Sequence, residues 1–405
     1  MLIKKYNFID LDQINEVTEE FTEKNGIIRS SCKVLQPQKF GVKCFAFLAT
    51  AAIVATMLAA NIPVRSHPLY SHQYVVPANK ISSTTLHDLM GDKNFIFLST
   101  VSFLTTTGSN QTYTSDAAWN NSSNSVECVG PGGSGAANKK ESTQGQQAGG
   151  GGGGAYSKIT NFTFATPGTT TATYRVGSGG GATSTTTGSS ASHVDGAAGL
   201  QATWFNASAD PGVGSDNSKC SAAPGGAGIN GVAGVSLSTG GAGGATTSSW
   251  GTSKTNGGRG GQATSGTSVV ASGGGGAGGP NGDGVQGGDT SAGVVTAGGN
   301  GDAGSGGAGG GSTGATGSPG LELGDLSKGC GGGGGGISAT TNGTTTAGTG
   351  GLYGGGGGGA RNGGSGNSSS AKAVSGAGQQ GLIVLSWTPS SSNSLAAQFM
   401  CPTYF

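Results

Sequence analysis

From Gly130 to Gly381 glycine dominates the chain, and no other feature limits its fold so strongly. Of 405 residues, 87 are glycine, nearly all of them in that stretch. Each loses about 0.5–1 kcal/mol more than alanine in backbone entropy on folding, and none brings a side chain to a core. The stretch nevertheless keeps a register of three. It holds over Gly225, Gly228, Gly231 and Gly234, and again over Gly298, Gly301, Gly304, Gly307 and Gly310. Gly311, Gly314, Gly317 and Gly320 repeat it. A period of three fits neither an α-helix nor a strand. It is the period of the extended left-handed polyproline II helix, which polyglycine also adopts. Such a helix has no internal hydrogen bonds. Glycine at every third position lets neighbours approach until backbone N–H groups and carbonyls bond between them. Collagen shares the period but needs about 15–20% proline or hydroxyproline, and this chain has only 12 prolines.

A flexible linker is the default for glycine-rich sequence. The length of this stretch, its register and its punctuation by Tyr, Trp and Leu argue for folding. Only 33% of residues are hydrophobic and 10% charged, with a net charge of +1. That is too little apolar material for a conventional core throughout, and too little charge for typical disorder. With no basic stripe, nothing attracts nucleic acid.

Upstream, Phe8, Leu11, Ile14, Val17 and Phe21 recur at helical spacing, so residues 1–43 are expected to hold one amphipathic helix. Residues 44–64 are apolar apart from Thr50, Thr56 and Asn61. They are just long enough to span a bilayer. Arg29, Lys33, Lys39 and Lys43 precede them, placing the N-terminus inside by charge bias. A signal peptide and a buried helix are the rival readings. Residues 65–105 form a connector with a short strand, and His67, His72 and His87 there have no partner at metal-ligand spacing.

The glycine-rich domain is expected over residues 106–390, with a tail over 391–405. Its fold is expected to be mainly β with little helix, a small antiparallel framework bracketing polyglycine II-type helices and loops. Thr112–Thr114, Val126–Val129, Phe162–Phe164 and Thr171–Val176 read as strands, and Trp119 anchors a small core. Leu382–Trp387 is the strongest strand, stopped by Pro389.

Catalytic signatures are absent. Gly-x-Gly-x-x-Gly arises by chance in this composition, and no phosphate loop ends in Gly-Lys-Ser/Thr. Gly298–Asp302 departs from a calcium nonapeptide and reads as a turn. His193 and Asp195 have no nucleophile elbow. No cofactor and no metal is expected. The six cysteines have no metal-ligand spacing, and a Cys220–Cys330 disulfide is the pairing expected if the chain leaves the cytosol.

The order of elements resembles the glycine-rich domains of phage tail-fibre and tail-tip adhesins and related bacterial glycine-rich proteins. The pieces are Thr112-Tyr113-Thr114, Trp119, Val126-Glu127-Cys128-Val129-Gly130 and Gly154-Ala155-Tyr156-Ser157-Lys158. Tyr174-Arg175-Val176-Gly177, Thr203-Trp204-Phe205-Asn206, Gly351-Leu352-Tyr353-Gly354 and Gly381-Leu382-Ile383-Val384-Leu385 complete them. The likeness covers about residues 110–388. It departs at Ser115-Asp116, where the family has Val-Pro, and at Pro131, which interrupts a glycine run. The resemblance implies packed polyglycine II helices and, at a fibre tip, loops that bind a host carbohydrate or outer-membrane protein. Other fibre subunits would be further partners, on the virion or a bacterial surface.

Contact residues for such a role are Trp250, Trp204, Phe205 and Tyr353, since aromatics give large contact area at low entropy cost. The competing reading has Trp204, Phe205 and Tyr353 plugging gaps between glycine helices. Trp250, within Thr246-Thr247-Ser248-Ser249-Trp250, is the best surface candidate. The alternative function is a membrane-anchored structural protein of the cell envelope. Ice binding would need regular threonines on one face, and the clusters Thr185–Thr187 and Thr344–Thr346 are irregular.

Overall fold

Strand β17 (Leu382–Trp387), the last element in the described chain, is an interior strand of the largest sheet. The computed structural model describes residues 99–390, except 140–146, 188–191, 232–236, 263–269, 291–293, 325–326, 340–342 and 364–369. The amphipathic helix, the apolar segment 44–64 and the C-terminal tail lie outside the described residues. Among the described residues no helix is long and apolar enough to cross a membrane. Those from Ser99 to Thr388 form one unit.

The other strands are β1 (Thr100–Leu104), β2 (Gln111–Thr114), β3 (Asn124–Val129), β4 (Ala137–Lys139), β5 (Gln147–Ala148) and β6 (Tyr156–Thr160). Then come β7 (Thr171–Arg175), β8 (Ser192–Val194), β9 (Thr203–Phe205), β10 (Cys220–Ala222), β11 (Asn230–Gly231) and β12 (Ser253–Thr255). The last are β13 (Ile337–Ala339), β14 (Thr344–Thr346), β15 (Ala360–Asn362) and β16 (Lys372–Val374). The fold is mainly β, with small sheets; the five-stranded sheet and one of the two four-stranded sheets are antiparallel, and the other four-stranded sheet is mixed.

A five-stranded sheet in the order β1-β17-β3-β6-β12 faces a four-stranded sheet in the order β10-β9-β7-β2. Between them Val126, Ile159, Ile383 and Leu385 meet Tyr174, Phe205, Trp119 and Trp387. On the opposite face Val129, Leu382 and Val384 pack on Tyr353, Leu323 and Cys330. Leu382-Ile383-Val384-Leu385 therefore alternates between two buried faces. This explains why the sequence there is apolar without interruption.

Phe162–Phe164, expected as a strand, forms none. Side-chain amides take the place of a ladder there. The N–H of Phe162 donates to Asn124 Oδ1 at 2.8 Å, and that of Phe164 to Asn121 Oδ1 at 3.0 Å. The local sequence alternates as a strand would, but the neighbouring asparagines satisfy its backbone first. β2 and β3, consecutive in the chain, also belong to different sheets.

The glycine tracts carry neither helix nor strand, and their peptide groups bond between tracts. Gly150 and Gly153 donate to Gly261 and Gly258. Gly151 and Gly154 donate to Gly357 and Gly354, and Gly152 and Ala155 to Gly226 and Ala223. In the same rotation Gly149 and Gly152 accept from Ala136 and Gly133, and Gly150 and Gly153 from Gly241 and Gly244. Gly151 and Gly154 accept from Gly275 and Gly278, and all these bonds measure 2.8–3.1 Å. The same neighbour is met again after three residues, but the run Gly298–Gly310 read as one register is two tracts: it turns at Asp302–Gly304, and Gly298 and Gly301 donate to Gly310 and Gly307. No room remains for a side chain: a Cβ at Gly150 would overlap the carbonyl of Gly273.

Successive tracts run in opposite senses. Residues 130–135 lead away from β3, and residues 149–155 return to β6. Later pairs repeat this, as where Gly258 and Gly261 donate to Gly276 and Gly273, or Gly376 and Gln379 to Gly358 and Gly355. One end of the bundle therefore holds the two large sheets. The other, loop-bearing end holds β4, β5, β8, β11 and β13–β16.

Candidate functional site

Of the aromatics expected to touch a receptor, Trp204 is 1% exposed, Phe205 0% and Tyr353 5%. Phe205 sits among Phe162, Tyr113 and Phe164 with ring centroids 5.3–6.4 Å away. Tyr353 covers the outer face of the five-stranded sheet. All three are buried, but Phe205 lies between the two sheets and Tyr353 against a sheet face, where the competing reading had them plugging gaps between glycine helices.

Trp250 is half-buried and lies at the sheet end. A Cβ at Gly214 would overlap its ring, so the backbone of Gly214 lies directly against it. Lys219 Nζ stands 4.8 Å from the ring centroid. The Ser218 hydroxyl and backbone N–H donate to Asp216 Oδ1, and so does the indole N–H at 3.0 Å; in that order they hold the Asp216 carboxyl below its ordinary value. Trp250 thus pins the segment Gly214–Lys219 to the sheets. It is a half-covered anchor rather than a free aromatic platform.

The cysteine pairing differs from the expectation. Cys220 of β10 is bonded to Cys128 of β3, with a Cα–Cα distance of 6.2 Å across 92 residues, and Cys330 is free and buried. Cys128 and Cys220 both point into the space between the two large sheets, whereas Cys330 lies on the far face of the five-stranded one. Closing a loop of this length stabilises by roughly 2–4 kcal/mol. The Cys128→Ala/Cys220→Ala double variant is expected to melt lower by a corresponding amount, while Cys330→Ser leaves the Cys128–Cys220 bridge intact by peptide mapping.

Glu127, Tyr156 and Lys158 form a compact polar group on the sheet. The Tyr156 hydroxyl donates to Glu127 Oε2 at 2.7 Å, and Lys158 Nζ lies 2.9 Å from Oε1. Burial first, and then Glu127, push the Tyr156 hydroxyl far up, so it stays a donor. Burial, aided by Asp116, pushes Tyr113 up to about 12. A phenol whose pKa is raised in the folded state adds stability below its unfolded value of about 10. That stability is lost as pH rises through the folded value. Melting temperature is therefore expected to hold to about pH 9.5 and fall steeply towards pH 12. Absorbance at 295 nm should show tyrosinate appearing together with unfolding.

Among the described residues no cluster of three or more His, Cys, Asp or Glu is placed to hold a metal. Asp302, in the calcium-like stretch, is fully buried at φ 47°. It accepts from the backbone N–H and side-chain amide of Asn281, both at 2.6 Å, and from Gly282 and Ser305. Its carboxylate ties two turns together.

The loop-bearing end is more polar. Thr344 and Thr346 of β14 are exposed and Thr345 between them is buried. β8, β4, β15 and β13 form one sheet there, with His193, Asn138, Arg361 and Ser338 in successive register. Lys139 and Arg361 are both buried. Nearby residues Val285, Gln286, Val295, Thr296, Asn300 and Ser312 line a cavity of about 550 Å³. Sequence reasoning missed Lys139 and Arg361. The available signal was a long cation standing alone beside a glycine tract, in Ala360-Arg361-Asn362.

No family model matches this chain, and the comparison with curated proteins finds no match either.

Proposed function

We propose that the chain is a non-enzymatic, adhesin-like protein of the phage tail-fibre kind. Its glycine bundle, of polyglycine II type, holds loops out to bind a host cell-surface carbohydrate or outer-membrane protein. The observation that supports this best is the strict alternation of tract direction. It gathers the short strands β4, β5, β8, β11 and β13–β16 at one end and keeps the two large sheets at the other. Binding loops on a rigid scaffold are a common solution for recognition, and a backbone lattice tolerates change at its exposed tips. The second reading, an envelope protein anchored by residues 44–64, draws on the apolar run there.

The test is saturable binding of the labelled full chain to a panel of intact bacteria, after a cooperative melt shows that it is folded. Thr344→Arg/Thr346→Arg should abolish binding, because both side chains are exposed at the loop-bearing end. Trp250→Ala should leave it intact. A folded chain that binds no cell would favour the envelope reading.

A further inference from the structure

We infer that Arg361 anchors a binding site for a small oxyanion at the loop-bearing end of the bundle. Arg361 stands in β15, between β13 and β4, and is 2% exposed. Its Nε is buried with no hydrogen-bond partner, and its contact with Ser338 Oγ is a long 3.4 Å from Nη1. Among the described residues no carboxylate pairs with it. The ion pairs within the described residues are Lys158–Glu127 and Arg259–Asp289, and Asp195, which follows β8, accepts from the backbone and side-chain N–H groups of Asn230. Burial alone pulls the guanidinium down to about 10, with no acid to hold it up.

An unpaired buried cation is costly, and a protein that keeps one has to compensate for it. Arg259 shows the ordinary solution in the same bundle, with Nη2 donating to both oxygens of Asp289 at 2.9 and 3.0 Å. At Arg361 the protein supplies no such acceptor. The planar guanidinium fork matches the oxygens of carboxylate, sulfate or phosphate, which would supply both acceptors and counter-charge. The neighbouring backbone is fitted to the fork. A Cβ at Gly363 would come within 2.6 Å of both Nη1 and Nη2, so the Gly363 backbone lies directly against the guanidinium and holds its orientation. In-register pairing also sets His193 and Asn138 on the same face as Arg361.

The inference is independent of the receptor reading, since the oxyanion could be a free ion or an acidic group on a polysaccharide. The probe is sodium sulfate, titrated into the full chain labelled with ¹⁵N-arginine, in a HEPES buffer free of other small anions. One Hε–Nε resonance, absent from Arg361→Met, should shift saturably. Arg361→Lys or Gly363→Ala should weaken the apparent affinity at least tenfold while the cooperative melt remains. A parallel titration with oligogalacturonate distinguishes the sources: saturation there at lower concentration than with sulfate assigns the site to an acidic saccharide, and a response to sulfate alone assigns it to a free ion. The absence of a saturable shift up to 50 mM sulfate in the wild-type chain overturns the site, as does an equal response to chloride. Loss of cell binding with the sulfate response intact would remove the adhesin reading and leave this one standing.

Discussion

Gly150→Ala and Gly153→Ala are each expected to destabilise the domain by about 3–5 kcal/mol, a large part of the total stability of a typical domain. The effect comes from a single methyl group. Residues 149–155 are surrounded by bonded tracts, and a Cβ at Gly150 or Gly153 would overlap the carbonyl of Gly273 or Gly276. Backbone cannot move aside as a flexible side chain does. Every displaced tract would also break hydrogen bonds to its own neighbours. Gly181→Ala is the matched control. It is exposed, and a Cβ there meets nothing within 4 Å. That change should be neutral or stabilise by about 0.5 kcal/mol, through lower entropy in the unfolded chain. Thermal melts of the three variants decide the matter. A Gly150→Ala chain that melts within a degree of wild type would mean that the tracts are not packed as described.

Phe205→Ala is expected to cost about 3–5 kcal/mol, the range for a fully buried aromatic. Phe205 is 0% exposed and contacts Phe162 and Phe164 edge-on in the core that joins the two large sheets. The loss should spread beyond the sheets, because β3 and β17 mark the beginning and end of the glycine bundle and are paired side by side. The expected result is a single lowered transition, monitored both by aromatic circular dichroism and by amide exchange in residues 149–155. Two separate transitions would show that the bundle stands without its framework. Trp250→Ala should lower stability by only about 1 kcal/mol, because a half-buried ring on a surface segment loses less apolar area.

Much of this architecture could be read locally. The apolar run Leu382–Leu385 announces a strand buried on both faces, whereas the spacing Gly298, Gly301, Gly304, Gly307 crosses the turn at Asp302–Gly304 and continues a threefold register only by coincidence. The first is a short-range regularity, set by strand alternation. The fate of Trp204, Phe205 and Tyr353 was half legible, since a chain so poor in apolar residues has few other groups to fill its core. The contact that half-covers Trp250 was not legible, because Gly214, whose backbone lies against its ring, is distant in sequence and has no side chain to announce it.

By itself, then, the sequence determined the class of fold, the period of its bundle and the strands that frame it. Tertiary structure alone decided which tract lies beside which, that Cys220 meets Cys128 rather than Cys330, and that Arg361 is buried with its Nε unpartnered. The physical reason is that a glycine tract carries no address. Its peptide groups bond equally well to any parallel or antiparallel neighbour. The pairing is therefore set by the sheets and turns at the two ends, through contacts that no local pattern encodes.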